Sequence, residues 1–240
     1  MALQETRHAF RESLKELEKQ TLGGLELVLG QLDRSLWAIA GKDVELASLV
    51  IADDDRIDGR YLEVHQGVLS LLARQAPVAG DLRIVAALLH IIRCMERMGD
   101  QCVNIAKLVP LAGYEAPTDE EILVSLEQMG KAARNQVVRC QQAFATRDVE
   151  LARELARDDQ EVNRLNRQIF RRAVEIGDEP ELREWAMLMI LVARALERIG
   201  DNTVDVAEQV VFVVTGLFRE LADGPDPAPG PPGPAAAPAP

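Results

Sequence analysis

The chain repeats itself, and the repeat constrains its fold more than any single motif. Asp43-Val-Glu-Leu-Ala47 recurs word for word as Asp148-Val-Glu-Leu-Ala152, an offset of 105 that also lays Asp54 on Asp159, Ile57 on Val162 and Asp58 on Asn163. Further on, Arg93-Cys-Met-Glu-Arg-Met-Gly-Asp100 recurs as Arg194-Ala-Leu-Glu-Arg-Ile-Gly-Asp201 at an offset of 101. The change of four falls in the turn around Pro77, and loops tolerate such insertions. A tandem duplication means that both halves are built from the same supersecondary unit.

Proline sets the type of element inside each copy. Eight of the 12 prolines lie between Pro225 and Pro240; the others are Pro77, Pro110, Pro117 and Pro180. The long stretches between them read as helices. Apolar residues recur at helical spacing from Leu3 to Ala40, and Gly41 followed by Asp43 gives a stop and a new N-cap. Asp43 to Gln75 predicts one second helix. Pro77-Val-Ala-Gly-Asp81 supplies a turn and an N-cap for a third that runs to Leu108. After the linker Pro110–Thr118, Thr118-Asp-Glu-Glu121 has capping-box spacing, and a second trio follows over 119–146, 148–176 and 181–221. The expected architecture is all-α: two tandem three-helix bundles over residues 3–109 and 118–220. Residues 223–240, rich in Pro and Ala, have almost no apolar side chain larger than Ala and are expected to be disordered.

Charge and cysteine usage narrow the function. With 27 Lys+Arg against 39 Asp+Glu the net charge is −12, which argues against nucleic acid as a direct partner. Cys94, Cys102 and Cys140 are odd in number and lack CxxC spacing, which suits neither a disulfide framework nor a thiolate zinc site and points to a reducing cytoplasm. The first 20 residues are charged throughout, unlike a secretory signal. The apolar runs at 84–92 and 186–193 fall well short of the about 20 residues a membrane span needs, so no membrane insertion is expected.

Chemistry concentrates in the third helix of each copy, in the pattern E-R-x-G-D. Glu96 and Asp100 are one helical turn apart and share a face, as do Glu197 and Asp201. The second helix offers Asp54 and Asp58 at the same spacing, with Asp159 followed by Asn163 in the other copy. Carboxylate rows on facing helices are oxygen ligands for a divalent cation. Arg93 and Arg97 are placed to make the same acids into a solvated charge ladder instead. Gly99 and Gly200 cost about 1 kcal/mol each against Ala inside a helix and predict a close helix approach beside the carboxylates. Glu5-x-x-His8 has the spacing of a di-iron pair but occurs once, where a ferritin-like site needs two. His90 reads as a core or interface side chain, and Trp37, Trp185 and Met187-Leu-Met-Ile190 as core or a helix-docking face. No P-loop, Rossmann glycine pattern, HExxH or G-x-S-x-G is present, so no catalytic residues are assigned.

Arg74-Gln-Ala-Pro-Val-Ala-Gly-Asp-Leu-Arg83 and Glu96-Arg-Met-Gly-Asp100…Asn104-Ile-Ala106, set in duplicated helical trios, resemble the PhoU family of phosphate-signalling regulators over about residues 3–220. The resemblance implies a cytoplasmic, often dimeric, non-enzymatic negative regulator. Such a protein couples a phosphate ABC transporter, through its ATPase subunit, to a sensor histidine kinase. It also implies iron or zinc clustered on E/D-x-x-x-D motifs, which fall here on Asp54, Asp58, Glu96 and Asp100 and on Asp159, Glu197 and Asp201. Asn163 departs from the pattern and predicts a weaker second site. The competing reading is a helical-bundle carboxylate metalloprotein with a redox or metal-storage role.

Overall fold

The computed structural model describes residues 2–113, 115–218 and 220–221 and, within the helices, every side chain except those of residues 2–6 and 79. The expected disordered segment 223–240 lies outside the described residues. The described chain is helical: α1 (Ala2–Gly41), α2 (Val44–Ala52), α3 (Asp55–Arg74), α4 (Ala79–Leu108), α5 (Glu120–Thr146), α6 (Val149–Glu175) and α7 (Pro180–Thr215). No strand occurs among the described residues, and no described helix is long and apolar enough to cross a membrane.

Aspartate caps start the second helix of each copy in the same way. Asp43 accepts from the Leu46 amide at 2.9 Å, and Asp148 from the Leu151 amide at 3.0 Å. Each follows a residue in the left-handed region, Lys42 (φ 52°) and Arg147 (φ 58°), again 105 apart. The stop expected at Gly41 is thus made one residue later, at a lysine. The cap of α5 is Asp119, which accepts from the Ile122 amide at 3.0 Å, rather than Thr118. Helix α4 opens at Ala79 after Val78 with no side-chain cap, and Asp81 lies in its first turn.

Two expected helices differ in extent. The single helix expected over 43–75 is broken at Asp53 and Asp54 into α2 and α3. The Gln31 amide on α1 donates to the Val50 carbonyl at 3.2 Å, taking the acceptor that would continue the ladder, and i→i+3 bonds from Arg56 to Asp53 and from Ile57 to Asp54 tighten the turn. A side chain inserted into the ladder is a recognised cause of a helix break. The last helix ends at Thr215 instead of Leu221. Gly216 adopts φ 76° and donates back to the Phe212 carbonyl at 2.8 Å, a left-handed cap, and Phe218 then packs edge-on against Phe212.

Helices α1, α3 and α4 pack on one another, as do α5, α6 and α7, and the copies meet through α4 against α7 and α1 against α5. Helices α4 and α7 run antiparallel: Arg83 near the start of α4 packs against Gly216 beyond the end of α7, while Cys94 midway along α4 lies beside Asp205. Leu88, Ile91, Ile92 and Met95 of α4 join Leu196, Ile199, Val206 and Val210 of α7 in one apolar cluster that continues across both copies. Burial of each such side chain contributes about 1.5–3 kcal/mol, so the seam is core rather than a wet domain contact. Trp185 belongs to this core, whereas Trp37 and Met187, both candidates for it, are exposed.

Candidate functional site

The helix break places the first group of acids. Asp54 sits at the α2–α3 break and Asp58 in the first turn of α3, opposite Glu96 and Asp100 on α4. Asp54 and Glu96 are half-buried, and Asp58 and Asp100 exposed. Burial raises the Asp54 carboxyl above its ordinary value; the Gln31 hydrogen bond opposes this, and the charges of Asp58 and Asp100 add to it. Burial likewise raises Glu96, with Arg93 opposing and Asp100 and Asp58 adding. Asp58 and Asp100 therefore act on both half-buried acids, from α3 and α4 respectively. The Glu96 Oε2 atom is buried and has no hydrogen-bond partner.

The second copy rebuilds this group with one acid fewer. Asp159 is buried on α6, where Gln136 Nε2 donates to its Oδ1 at 3.1 Å and Asn163 Nδ2 to its Oδ2 at 2.7 Å. Asn163, where the first copy has Asp58, thus supplies a donor in place of a charge. Asp159 is still raised, chiefly by burial, with Glu197 adding. Asp201 is exposed as a residue, yet local desolvation of its carboxyl against the helices, with Asp159 and Glu197 adding, pushes it up to about 6.

The charge-ladder alternative is realised only in part. Arg93 pairs with Glu96 at 3.4 Å and Arg194 with Glu197. Among the described residues, no Lys or Arg nitrogen pairs within 4.0 Å of Asp54, Asp58, Asp100, Asp159 or Asp201. The oxygens of these acids are not drawn tightly together either. Among the described residues, the one trio of potential ligands with donor atoms within 4.8 Å of one another is His90, Cys94 and Asp205.

Both glycines lie against the second helix of their own copy, next to a carboxylate oxygen. A Cβ on Gly200 would lie 2.5 Å from Asp159 Oδ1 and 3.0 Å from Gln136 Oε1. On Gly99 it would meet Ile57 Cδ1 at 3.0 Å and Asp54 Oδ1 at 3.4 Å. Gly200→Ala is therefore expected to destabilise by about 1–3 kcal/mol despite the helix propensity it gains, because the buried Gln136–Asp159 bond must yield. Gly99→Ala should stay within about 1 kcal/mol of wild type. Urea denaturation of both variants checks this, and a Gly200→Ala protein at least as stable as wild type contradicts it.

The first helix of each copy supplies residues absent from the sequence expectation. Gln31 donates to Asp54 Oδ1 at 3.2 Å as Gln136 does to Asp159, and the Oε1 atoms of both are buried without a partner. Arg34 binds Asp53 at 2.5 Å, and Arg139 binds Asp158. Gln31-x-x-Arg34 and Gln136-x-x-Arg139 lie 105 apart, so the offset that aligns the acids marks these residues as well.

Comparison with known proteins matches residues 24–109 and 126–210, one stretch in each copy, to the PhoU domain. The chain is 30% identical over 220 residues, 91% of its length and all of the relative's, to a phosphate-specific transport system accessory protein PhoU homolog of Clostridium acetobutylicum. It is 30% identical over 219 residues, 88% of its own length and 99% of the relative's, to the PhoU homolog 2 of Mycobacterium tuberculosis. The crystal structure of the phosphate transport system regulatory protein PhoU from Streptococcus pneumoniae superposes with a TM-score of 0.81 at 29% identity, covering 88% of this chain and 99% of that one. PhoU from Pseudomonas aeruginosa gives 0.80 at 28% identity, covering 87% of this chain and all of that one.

Proposed function

This chain belongs to the PhoU family, and from that premise we propose that it is a non-enzymatic negative regulator of phosphate uptake and signalling. In this reading it works in the cytoplasm as a homodimer and couples the ATPase subunit of a phosphate ABC transporter to a sensor histidine kinase. The observation that carries the proposal is the match of both copies to a family whose members are named accessory or regulatory proteins of phosphate transport.

The surface supports an adaptor. A groove between α6 and α7 has Phe170, Ile190 and Leu191 as its apolar lining and Arg167, Arg171 and Arg194 among its rim residues. Phe170 and Leu191 are more than half exposed, at 55% and 53%. On a chain of net charge −12, a local basic rim around an apolar groove suits a partner helix with one apolar face and acidic flanks.

The carboxylate groups belong to the same proposal. Asp54, Asp58, Glu96 and Asp100 would hold a divalent cation such as iron or zinc, and Asp159, Glu197 and Asp201 a weaker second one. The unpartnered Glu96 Oε2 and the raised Asp54 and Glu96 carboxyls fit such an ion, and oxygen donors accept it. When bound, the cation supplies positive charge that offsets repulsion between the helices.

Tagged protein recovered from phosphate-replete cells should retain the transporter ATPase and the kinase, and Phe170→Asp should reduce the recovery of at least one of them. Recovery of neither partner contradicts the adaptor role. Recovery of both, unchanged in Phe170→Asp, places docking away from the groove.

A further inference from the structure

The trio His90, Cys94 and Asp205 lies apart from the carboxylate groups, at the seam between the copies. His90 and Cys94 are one turn apart on α4, Asp205 faces them from α7, and one donor atom of each lies within 4.8 Å of the others. Cys94 is fully buried, Asp205 half-buried and His90 exposed, so the group is closed by protein on one side and open to water on the other. Burial pushes the Cys94 thiol up to about 12, with Asp205 and Glu208 adding and Arg97 opposing, and the Cys140 thiol of α5 is near enough to feel it. The duplication supplies an internal comparison. At the matching offset of 101 the positions of His90, Cys94 and Asp205 are held by Leu191, Ala195 and Asn104, which lack this donor set.

We propose that His90, Cys94 and Asp205 form a zinc-type site in which an imidazole nitrogen, a thiolate sulfur and a carboxylate oxygen hold one divalent cation across the α4–α7 seam. Mixed nitrogen, sulfur and oxygen donors select a borderline ion such as zinc over magnesium or calcium, and three protein ligands leave a fourth position to water. Zinc bonds of about 2.0–2.3 Å set tetrahedral ligand atoms roughly 3.5 Å apart, a contraction on the order of an ångström that side-chain rotation supplies. The Cys94 thiol releases its proton to solvent as the sulfur–metal bond forms, so the ion replaces a proton among the neighbouring carboxylates. Because Asp205 comes from one copy and the other two ligands from the other, the bound ion fastens the copies together. This site is independent of the regulatory reading.

The test uses the full chain, stripped with a chelator and titrated with cobalt(II). The expected result is one equivalent of cobalt showing sulfur-to-cobalt charge-transfer absorption, displaced by zinc. The oxygen-only acid groups give no such band, so the signal reports on this site alone. Cys94→Ser should abolish the band and Cys140→Ser should keep it. His90→Ala, at an exposed position that leaves the core intact, should weaken cobalt binding about tenfold or more. Absence of the band in the wild type, its persistence in Cys94→Ser, or unchanged affinity in His90→Ala would overturn the proposal.

Discussion

Phe144→Ala is expected to lower the unfolding free energy by about 3–5 kcal/mol, the cost of truncating a large side chain in a core that does not refill. Phe144 is 1% exposed in the last turn of α5 and belongs to the cluster shared by both copies. Its ring also carries the Arg147 guanidinium, 4.5 Å from the centroid. Arg147 holds the left-handed cap of α5 and donates to the Phe144 carbonyl at 2.7 Å and to Glu18 of α1 at 2.5 Å. The truncation therefore removes core volume and loosens one of the contacts joining α1 to α5. Because the apolar cluster is continuous, urea is expected to unfold both the wild type and the variant in one transition. A loss below about 1 kcal/mol, or one copy melting before the other, would contradict this description of the core.

In the absence of divalent cations, Asp201→Asn should be more stable than the wild type at neutral pH, and the wild type should gain stability on mild acidification. The Asp201 carboxyl is raised from 3.8 to about 6, first by local desolvation and then by Asp159 and Glu197. Between those values the folded chain holds a proton that the unfolded chain has lost, so stability falls as pH rises through the window. Asp54, Glu96 and Asp159 are shifted in the same direction. Asp53 and Asp119 act oppositely: Arg34 and Arg172 hold them below their ordinary value of 3.8, so their contribution is present above it and fades only at lower pH. The two effects occupy separate pH ranges. Saturating divalent cation should reverse the order at neutral pH and make the wild type the more stable protein. Identical pH profiles for Asp201→Asn and wild type would contradict the electrostatic description of the second site.

The helical class, the duplication and the pairing of acids on facing helices were legible because each rests on local spacing or on direct repetition. Gly99 and Gly200 were legible for the same reason, since a glycine kept inside a helix twice demands a neighbour. The break at Asp53 and Asp54 was not, because its cause is the Gln31 amide on another helix. Gln31 and Gln136 carry a signal in their shared offset, but glutamine mid-helix is unremarkable until its partner is known. His90, Cys94 and Asp205 belong to no motif, since Asp205 lies in the opposite copy and only the antiparallel packing of α4 on α7 brings it to the other two. For Trp37 the sequence stays open between core and a helix-docking face, because helical spacing fixes a face, not whether another helix covers it; its exposure excludes the core.

The role proposed for this chain is restraint of a phosphate-starvation response. The most direct measurement deletes its gene in a strain with no second family member and follows secreted phosphatase activity and transporter expression in phosphate-rich medium. Both outputs should rise and return to the repressed level when the chain is restored; outputs that stay repressed in the deletion strain would contradict the account.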